Sequence, residues 1–380
     1  MNRPTLPAGD SAGLLQPYDI ALIGAGMAGA SLAAALLARA PALRVVLAEA
    51  EARPGLHATG RSAAFWTESY GGPGVVPLTL ASHAALEGLG VLRRRGALTL
   101  ARAGQEAQLE AFAARYRALG VSTGVLGRAQ AAALVPGLKP GWIGGVMEPD
   151  CCDIDVARLH QHYLAEARRA GADLLCGAGL ASAEPAGAGW QLHLADGRRL
   201  RAGVLVNAAG AWADEVARRA GAVPLGIQPY RRTMAQLRVA PQPDADLPLV
   251  LDLDESFYFK PQSGRLWLTP HDETPSAACD AAPEEIDVAS AIARLEQVVD
   301  WQVERLEHRW AGLRSFAPDR LPAYGWDGRV PGFFWCAGQG GFGIQTAPAG
   351  ADLAARLLLG EGPGAVNPVP YDPRRFALVD

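Results

Sequence analysis

The sequence of 380 residues is short of charge: 19% of its residues are charged and the formal net charge is only −4. So small an imbalance excludes binding to nucleic acid or an anionic membrane surface by bulk electrostatics. The one basic run, Arg93-Arg94-Arg95, is short and reads as a solvated face. Cysteine is scarce too. The five, at 151, 152, 176, 279 and 336, form no CxxC, and no His/Cys group has zinc-ligand spacing. A metal site and a disulfide scaffold are therefore not expected, and the scattered thiols read as free in a reducing cytosol. Residues 1–16 lack the basic start and apolar block of a signal peptide and read as a loose tail. The stretch from Ile20 to Ala38 is uncharged and apolar for long enough to raise a membrane span, and no second apolar stretch of such length follows. Three glycines at fixed spacing inside it argue for a strand, a turn and a buried helix.

What is present begins with those glycines. Tyr18–Ile23 reads as a buried strand, Gly24-Ala25-Gly26-Met27-Ala28-Gly29 follows at once, and Ala30–Arg39 is rich in Ala and Leu. Val45–Ala48 reads as the next strand, with Glu49 at its end and Ala50 after it. Gly24 serves the turn out of the strand, Gly26 a close approach to a pyrophosphate, and Gly29 the packing of helix on sheet. The helix N-terminus offers N–H groups and a positive dipole end to phosphate. Glu49 stands where an acid accepts hydrogen bonds from a ribose. This is a dinucleotide cradle, which by itself does not separate FAD from NAD.

Three further segments of small residues point to the flavin. Thr59-Gly60-Arg61-Ser62-Ala63-Ala64 closely follows the second strand, where a simple NAD unit would continue with a helix. Val204–Asn207 leads into Ala208-Ala209-Gly210-Ala211-Trp212, and Gly338–Thr346 is glycine-dense, with the helix-forming stretch Ala349–Leu359 behind it. A helix N-terminus aimed at a flavin would stabilise the anionic reduced ring.

Together these segments resemble the D-amino-acid oxidase-like flavoprotein family, which includes glycine and sarcosine oxidases, and most of all its D-arginine dehydrogenase branch. The resemblance runs from about Tyr18 to about Leu359. Besides the segments already quoted it rests on Asp254-Glu-Ser-Phe-Tyr258, Trp310-Ala-Gly-Leu-Arg-Ser-Phe316 and Gly343-Ile344-Gln345-Thr346. It implies a mixed α/β fold, with a Rossmann-like FAD-binding domain and an inserted, mainly antiparallel substrate-binding domain. The first would take residues 18–85, 145–228 and 310–365, the second 86–144 and 229–309, with tails at 1–17 and 366–380. The residue pattern agrees. Glu106–Leu119, Asp155–Ala170 and the region from Val288 to Leu306 read as helices. Period two runs from Arg231 to Pro270, with a hairpin turn at Gln262-Ser-Gly264.

The resemblance also implies the chemistry: removal of hydride from the Cα of a D-amino acid to non-covalently bound FAD, giving an imino acid, then a keto acid and ammonia. It places Arg232 and Arg314 on the substrate carboxylate, a task suited to a planar two-point fork. Tyr258 shares that duty, and Tyr70 bonds the substrate or an ordered water. Gly312 and Gly341 offer carbonyls to the amine, and Gln345 contacts the same region or the flavin. Cofactor contacts fall on 24–29, Glu49, Ala50, 59–64, Leu180, Ala208, Ala209, Gly210, Trp212, Gly340, Gly341, Phe342, Gly343, Ile344 and Gln345. Relatives with covalent flavin carry Cys where Gly312 stands. His57, near the cofactor loop, reads as structural. No general base is required, since the protein supplies orientation and electrostatics.

Two departures bear on the substrate. Arginine-using relatives have His at the position of Phe65 and an acid within the strand that here reads Gly96-Ala97-Leu98-Thr99. Their loss favours a neutral or apolar D-amino acid, unless Glu68, sharing an extended face with Tyr70, restores the charge. A secondary amine of sarcosine or glycine type, or a 2-hydroxy acid, is the alternative. The electron acceptor is expected to be a quinone or oxygen. The expected location is the cytoplasm, including the periphery of the inner membrane.

Overall fold

The computed structural model describes residues 17–362 and 364–376. The tail at 1–16 and residues 377–380 lie outside them. The chain divides into two compact units. One holds residues 1–60, 156–229 and 315–380, and the other 61–155 and 230–314.

The first unit is built on a mostly parallel sheet. Tyr18–Ile23 lies between Val45–Ala48 and Arg199–Asn207, parallel to both, and Asp173–Leu175 extends the edge. Val45–Ala48 is wholly buried, which is why it reads as an unbroken apolar run. The uncharged stretch resolves into this first strand and the helix Met27–Arg39, whose Ala- and Leu-rich surface packs inside the unit. Among the described residues no helix is long and apolar enough to cross a membrane. Phe333–Ala337 adds in parallel beside Leu205–Asn207, and Ala347–Leu359 is the last long helix. Residues 366–376, expected as a tail, dock instead: Tyr371 is buried, and Arg375 donates to the carbonyls of Leu321 and Pro322.

The second unit is a large, mainly antiparallel sheet. Its strands run in the order Gln302–Phe316, Gln228–Ala240, Arg265–Thr269, Tyr258–Gln262, Leu249–Asp252, Ala97–Arg102, Trp142–Glu148, Gly124–Gly127. Leu249–Asp252 against Ala97–Arg102 is a parallel pairing within it. The expected hairpin turn forms with positive φ at Ser263 and Gly264, the geometry that matches the strands' twist. The helix expected over Val288–Leu306 stops earlier: Glu285–Val298 is helical, and the chain from Gln302 is strand. Its Glu, Arg and Leu favour helix locally. Pairing beside Gln228–Ala240 overrides them, and ion pairs from Arg238 and Arg265 to Glu307 reinforce the ladder.

Residues 61–85 and 145–155, grouped by sequence with the first domain, cluster with the second unit. Phe65–Trp66 and Leu92–Arg94 both pair with Cys152–Ile154 in a small three-stranded sheet, which ties them there. Arg95 corrects the reading of the basic run. Arg93 and Arg94 are exposed, but the Arg95 side chain is 2% exposed and both its Nε contacts to Asp153 are 2.9 Å. Lys260, 1% exposed, donates to the same carboxylate at 2.7 Å and to the Ala64 carbonyl at 3.0 Å. Burial raises the Asp153 carboxyl, yet the bonds from Arg95 and Lys260 outweigh it and hold the group below its ordinary range.

Removing one partner of a buried ion pair strands the other. Asp153→Ala is therefore expected to lower the unfolding free energy by about 3–5 kcal/mol, read from urea titration of the holoenzyme. A loss within experimental error of zero would show that Arg95 and Lys260 find other partners.

Candidate active site

In the first unit the glycine motif forms a tight cradle. Gly24 has φ +103°, and a Cβ there would stand 2.5 Å from the Ala208 carbonyl oxygen. A Cβ on Gly29 would overlap the Gly24 carbonyl at 1.9 Å, so strand, turn and helix meet at backbone distance. At Gly26, by contrast, a Cβ would meet only Thr59 Oγ1, at 3.3 Å. Gly26 supplies no side-chain cap to the helix that starts at Met27, and the helix's first turn holds no acid. Glu49 accepts from the Ala25 N–H at 2.9 Å and from the Glu51 N–H at 3.0 Å, so its carboxylate braces the turn. Thr59 Oγ1 accepts from Met27 N–H, and Gly60 packs on the Gly55 carbonyl. A helix N-terminus without an acid in its first turn, beside a glycine turn open to close approach at Gly26, suits a pyrophosphate, so the residues present fit FAD.

The other first-unit candidates surround that motif in several ways. Ala208 N–H donates to the Ile23 carbonyl, Ala209 N–H to Asn207 Oδ1, and Gly210 has positive φ. Trp212 packs on the His57 ring at 4.6 Å, and His57 itself pairs with Glu51. Those two contacts give His57 a structural explanation. Leu180 is buried in the sheet, and its carbonyl accepts from Arg219. Gly340 has positive φ against the Phe316 ring, and Gly341-Phe342-Gly343-Ile344-Gln345 is a run of turns entering the helix at Ala347. Phe342 and Gln345 are buried.

In the second unit, Arg61 is committed to protein partners: its guanidinium donates to the carbonyls of Ala281 and Ala311 and pairs with Asp280. The pyrophosphate role expected of this side chain has no support in these bonds. Ser62 Oγ accepts from the Ala64 N–H, Ala63 is buried, and Ala64 is a non-glycine residue at φ +59°. The Ala64 carbonyl accepts from both the Ile154 N–H and Lys260.

The substrate candidates of this unit converge. Arg314 donates to the Tyr70 hydroxyl and, at 3.1 Å, to the Tyr258 hydroxyl. Tyr70 and Tyr258 both pack edge-on against Phe65, at 5.0 and 5.4 Å. The two arginines of the 231–232 pair separate. Arg231 binds Glu284 and Asp287, whereas Arg232 is buried, donating from Nε to the Asp272 carbonyl at 2.7 Å and from Nη2 to Glu273 at 3.2 Å. Arg231 Nε and Arg232 Nη1 are both buried without a hydrogen-bond partner, but the Arg232 guanidinium is the one that also feels the Tyr258 hydroxyl and the charge of Arg314. Burial, then the positive charge of Arg314, pushes the Arg232 guanidinium below its ordinary range. Gly312 stands two residues before Arg314 on the same strand, while Gly341 and Gln345 belong to the first unit.

Sequence reasoning missed Asp272 and Glu273, the two residues that steady Arg232. Their only signal was two acids just past a strand end, and their place depends on the pairing of Arg265–Thr269 with Gln228–Ala240. It also missed His271, whose ring lies edge-on to Tyr258 at 5.6 Å. Glu68 is corrected. Residues 68–71 form a turn, so alternation does not put Glu68 beside Tyr70. Its carboxylate takes a backbone hydrogen bond from Ser122, and Oε2 is buried with no partner. Burial first, and the neighbouring Glu148 second, hold Glu68 up to about 7.

Folded chain thus keeps the Glu68 proton through a range where unfolded chain has released it, so this group's effect on stability worsens as pH rises from the ordinary glutamate range to about 7. Glu68→Gln is expected to raise Tm over the native protein at about pH 8 and to leave it nearly unchanged at about pH 4.5. Equal shifts at both pH values in calorimetry would contradict the assignment.

Comparison with known proteins now adds to the geometry. The family model described as FAD dependent oxidoreductase (DAO) matches residues 19–357. Among characterised relatives, hydrogen cyanide synthase subunit HcnC of Pseudomonas aeruginosa is 27% identical over 221 residues, 54% of this chain and 49% of that protein. Glycine oxidase of the same organism is 31% identical over 184 residues, 46% of each chain. The chain spans about half the length of the curated relatives it matches. Among solved structures, glycine oxidase from Geobacillus kaustophilus superposes with a TM-score of 0.82 at 24% identity, covering 94% of this chain and 98% of the other. L-proline dehydrogenase from P. horikoshii gives 0.83 at 21%, covering 95% and 98%. Matched along nearly its whole described length, the chain belongs to the DAO family of FAD-dependent oxidoreductases.

Proposed function

We propose that this enzyme oxidises the Cα–N bond of a small amino acid, with neutral or apolar D-amino acids as its substrates. The observation that carries the reading is the Arg232 Nη1, a buried donor with no partner, beside a second guanidinium held by two tyrosines. A buried donor left unmade costs about 1–3 kcal/mol, so this space favours an anion that bonds both arginines. An amino acid's carboxylate is a planar two-oxygen acceptor of the right kind.

Arg232 and Arg314 then pin the carboxylate, and the tyrosine hydroxyls keep Arg314 from swinging. Tyr70, Tyr258 and Phe65 exclude water around the bound acid. With the substrate amine neutral, its lone pair forms the C=N bond as the Cα–H bond breaks and its electron pair departs as hydride. FAD, when bound, supplies the two-electron acceptor. Within the first unit, the cradle residues 24–29 with Glu49 and Thr59, and the segments 208–212 and 340–345, would hold it. Water hydrolyses the imino acid to a keto acid and ammonia.

Preference for an apolar side chain is supported by one cluster: Phe65, Ala97, Met234, Leu249 and Tyr258, with Tyr70 packed on it. Glu68, directed to Ser122 and Glu148, gives no support to a cationic side chain. D-configuration is supported by the resemblance of the 254–258, 310–316 and 343–346 segments. A glycine- or sarcosine-like substrate is the second reading, favoured by the glycine oxidase likeness.

Anaerobic flavin bleaching across D-amino acids, with L-enantiomers, glycine and sarcosine as controls, tests the substrate. D-leucine, D-phenylalanine or D-methionine is expected to reduce the flavin fastest. D-arginine or sarcosine in first place would reject the apolar D-amino acid. Arg314→Ala and Arg232→Ala are each expected to weaken apparent substrate affinity about 10- to 100-fold, the size of a charged hydrogen bond. Unchanged affinity in Arg314→Ala would end the carboxylate reading.

A further inference from the structure

Resting on that carboxylate reading, we propose that Glu148 and Ser69 are positioning residues, which fix the turn that presents the Tyr70 hydroxyl to Arg314. Glu148 ends the strand Trp142–Glu148 and is 1% exposed. Its carboxylate gathers three hydrogen bonds from one short segment: Ser69 Oγ at 2.6 Å, Ser69 N–H at 3.1 Å and Thr67 Oγ1 at 3.3 Å. Within the segment, Tyr70 N–H reaches the Thr67 carbonyl at 3.4 Å and Gly72 N–H the Ser69 carbonyl at 3.2 Å.

Among the described residues no Lys or Arg pairs with Glu148, and its hydrogen bonds come from Ser69 and Thr67. Burial pushes its carboxyl up, and the two bonds from Ser69 and the one from Thr67 pull it back. A buried acid without a counter-charge is an expensive way to hold a loop, and an apolar residue would suit stability better. Its placement has a consequence one residue further on. Tyr70 cannot shift without breaking either the Ser69 bonds or its own bond to Arg314. The sheet strand thus sets the tyrosine, and the tyrosine sets the arginine that grips the carboxylate.

Were Ser69 only a stability element, its loss would act the same whether or not residue 70 carries a hydroxyl. A double-mutant cycle on the FAD-loaded full chain separates the two cases. The probe is benzoate, titrated against the flavin absorbance, with KM and kcat for the best D-amino acid measured alongside. Ser69→Ala is expected to weaken benzoate about fivefold or more with Tyr70 present, and less than about twofold in a Tyr70→Phe background. The change is expected in KM more than in kcat. Thr67→Val, a smaller perturbation, is expected to follow with a lesser effect, and it serves where Glu148→Gln fails to fold.

Equal weakening by Ser69→Ala in both backgrounds, or none in either, overturns the positioning role. Arg314→Ala serves as the reference. If it weakens benzoate while Ser69→Ala does not, the carboxylate reading stands and only the positioning role falls. If Arg314→Ala leaves benzoate binding intact, the carboxylate reading fails and takes this inference with it.

Discussion

A guanidinium nitrogen buried without an acceptor is the constraint on which the second unit depends. Arg232 Nη1 sits in the interior with its neighbours already spoken for: Nε on the Asp272 carbonyl, Nη2 on Glu273. A second cation, Arg314, stands close enough to depress it. Two buried like charges repel; Asp272 counters this at Arg232, while, against burial, Tyr70, Tyr258 and Glu273 hold the Arg314 guanidinium above its ordinary range. On the proposed carboxylate reading, an incoming acid would relieve the repulsion and the unmade hydrogen bond together.

Several charged side chains elsewhere in this unit are closed into their own circuits. Asp153 takes Arg95 and Lys260, Arg61 takes Asp280, and Arg231 takes Glu284 and Asp287. None of these acids competes for Arg314, whose nearest bonds are to two neutral hydroxyls. Lys260 meanwhile bonds the Ala64 carbonyl, so the end of the 59–64 segment is fixed to the sheet at a residue in left-handed conformation. Phe65, directly after it, is the aromatic wall shared by both tyrosines. Ala64 and Phe65 are thus neighbours in sequence, and the pairing of Phe65–Trp66 with Cys152–Ile154 holds the aromatic wall.

Legibility in the sequence followed the range of the interactions. The cradle was readable because its parts are consecutive: strand, three glycines, helix and the acid after the next strand lie within about thirty residues, each with a backbone reason. The arginines were readable only through resemblance, since composition and spacing give no distinction between Arg231 and Arg232. The errors share one cause. Arg95 read as solvent-facing, Gln302–Leu306 as helix, Glu68 as a neighbour of Tyr70, and 366–376 as tail. In each case a partner far along the chain decides: Asp153, the strand Gln228–Ala240, Ser122 and Glu148, and the carbonyls of Leu321 and Pro322.

The sequence by itself determined the dinucleotide cradle, the alternation of the large sheet and the presence of small residues wherever backbone must come near a ligand, because those are set by φ, by side-chain volume and by periods of two or 3.6 residues. Only the tertiary structure decided which guanidinium is left with a free hydrogen-bonding edge, which carboxylate is buried without a counter-charge and which face of a turn carries the tyrosine. Those properties belong to pairs of side chains brought together from distant segments, and desolvation makes them consequential only once the fold has closed.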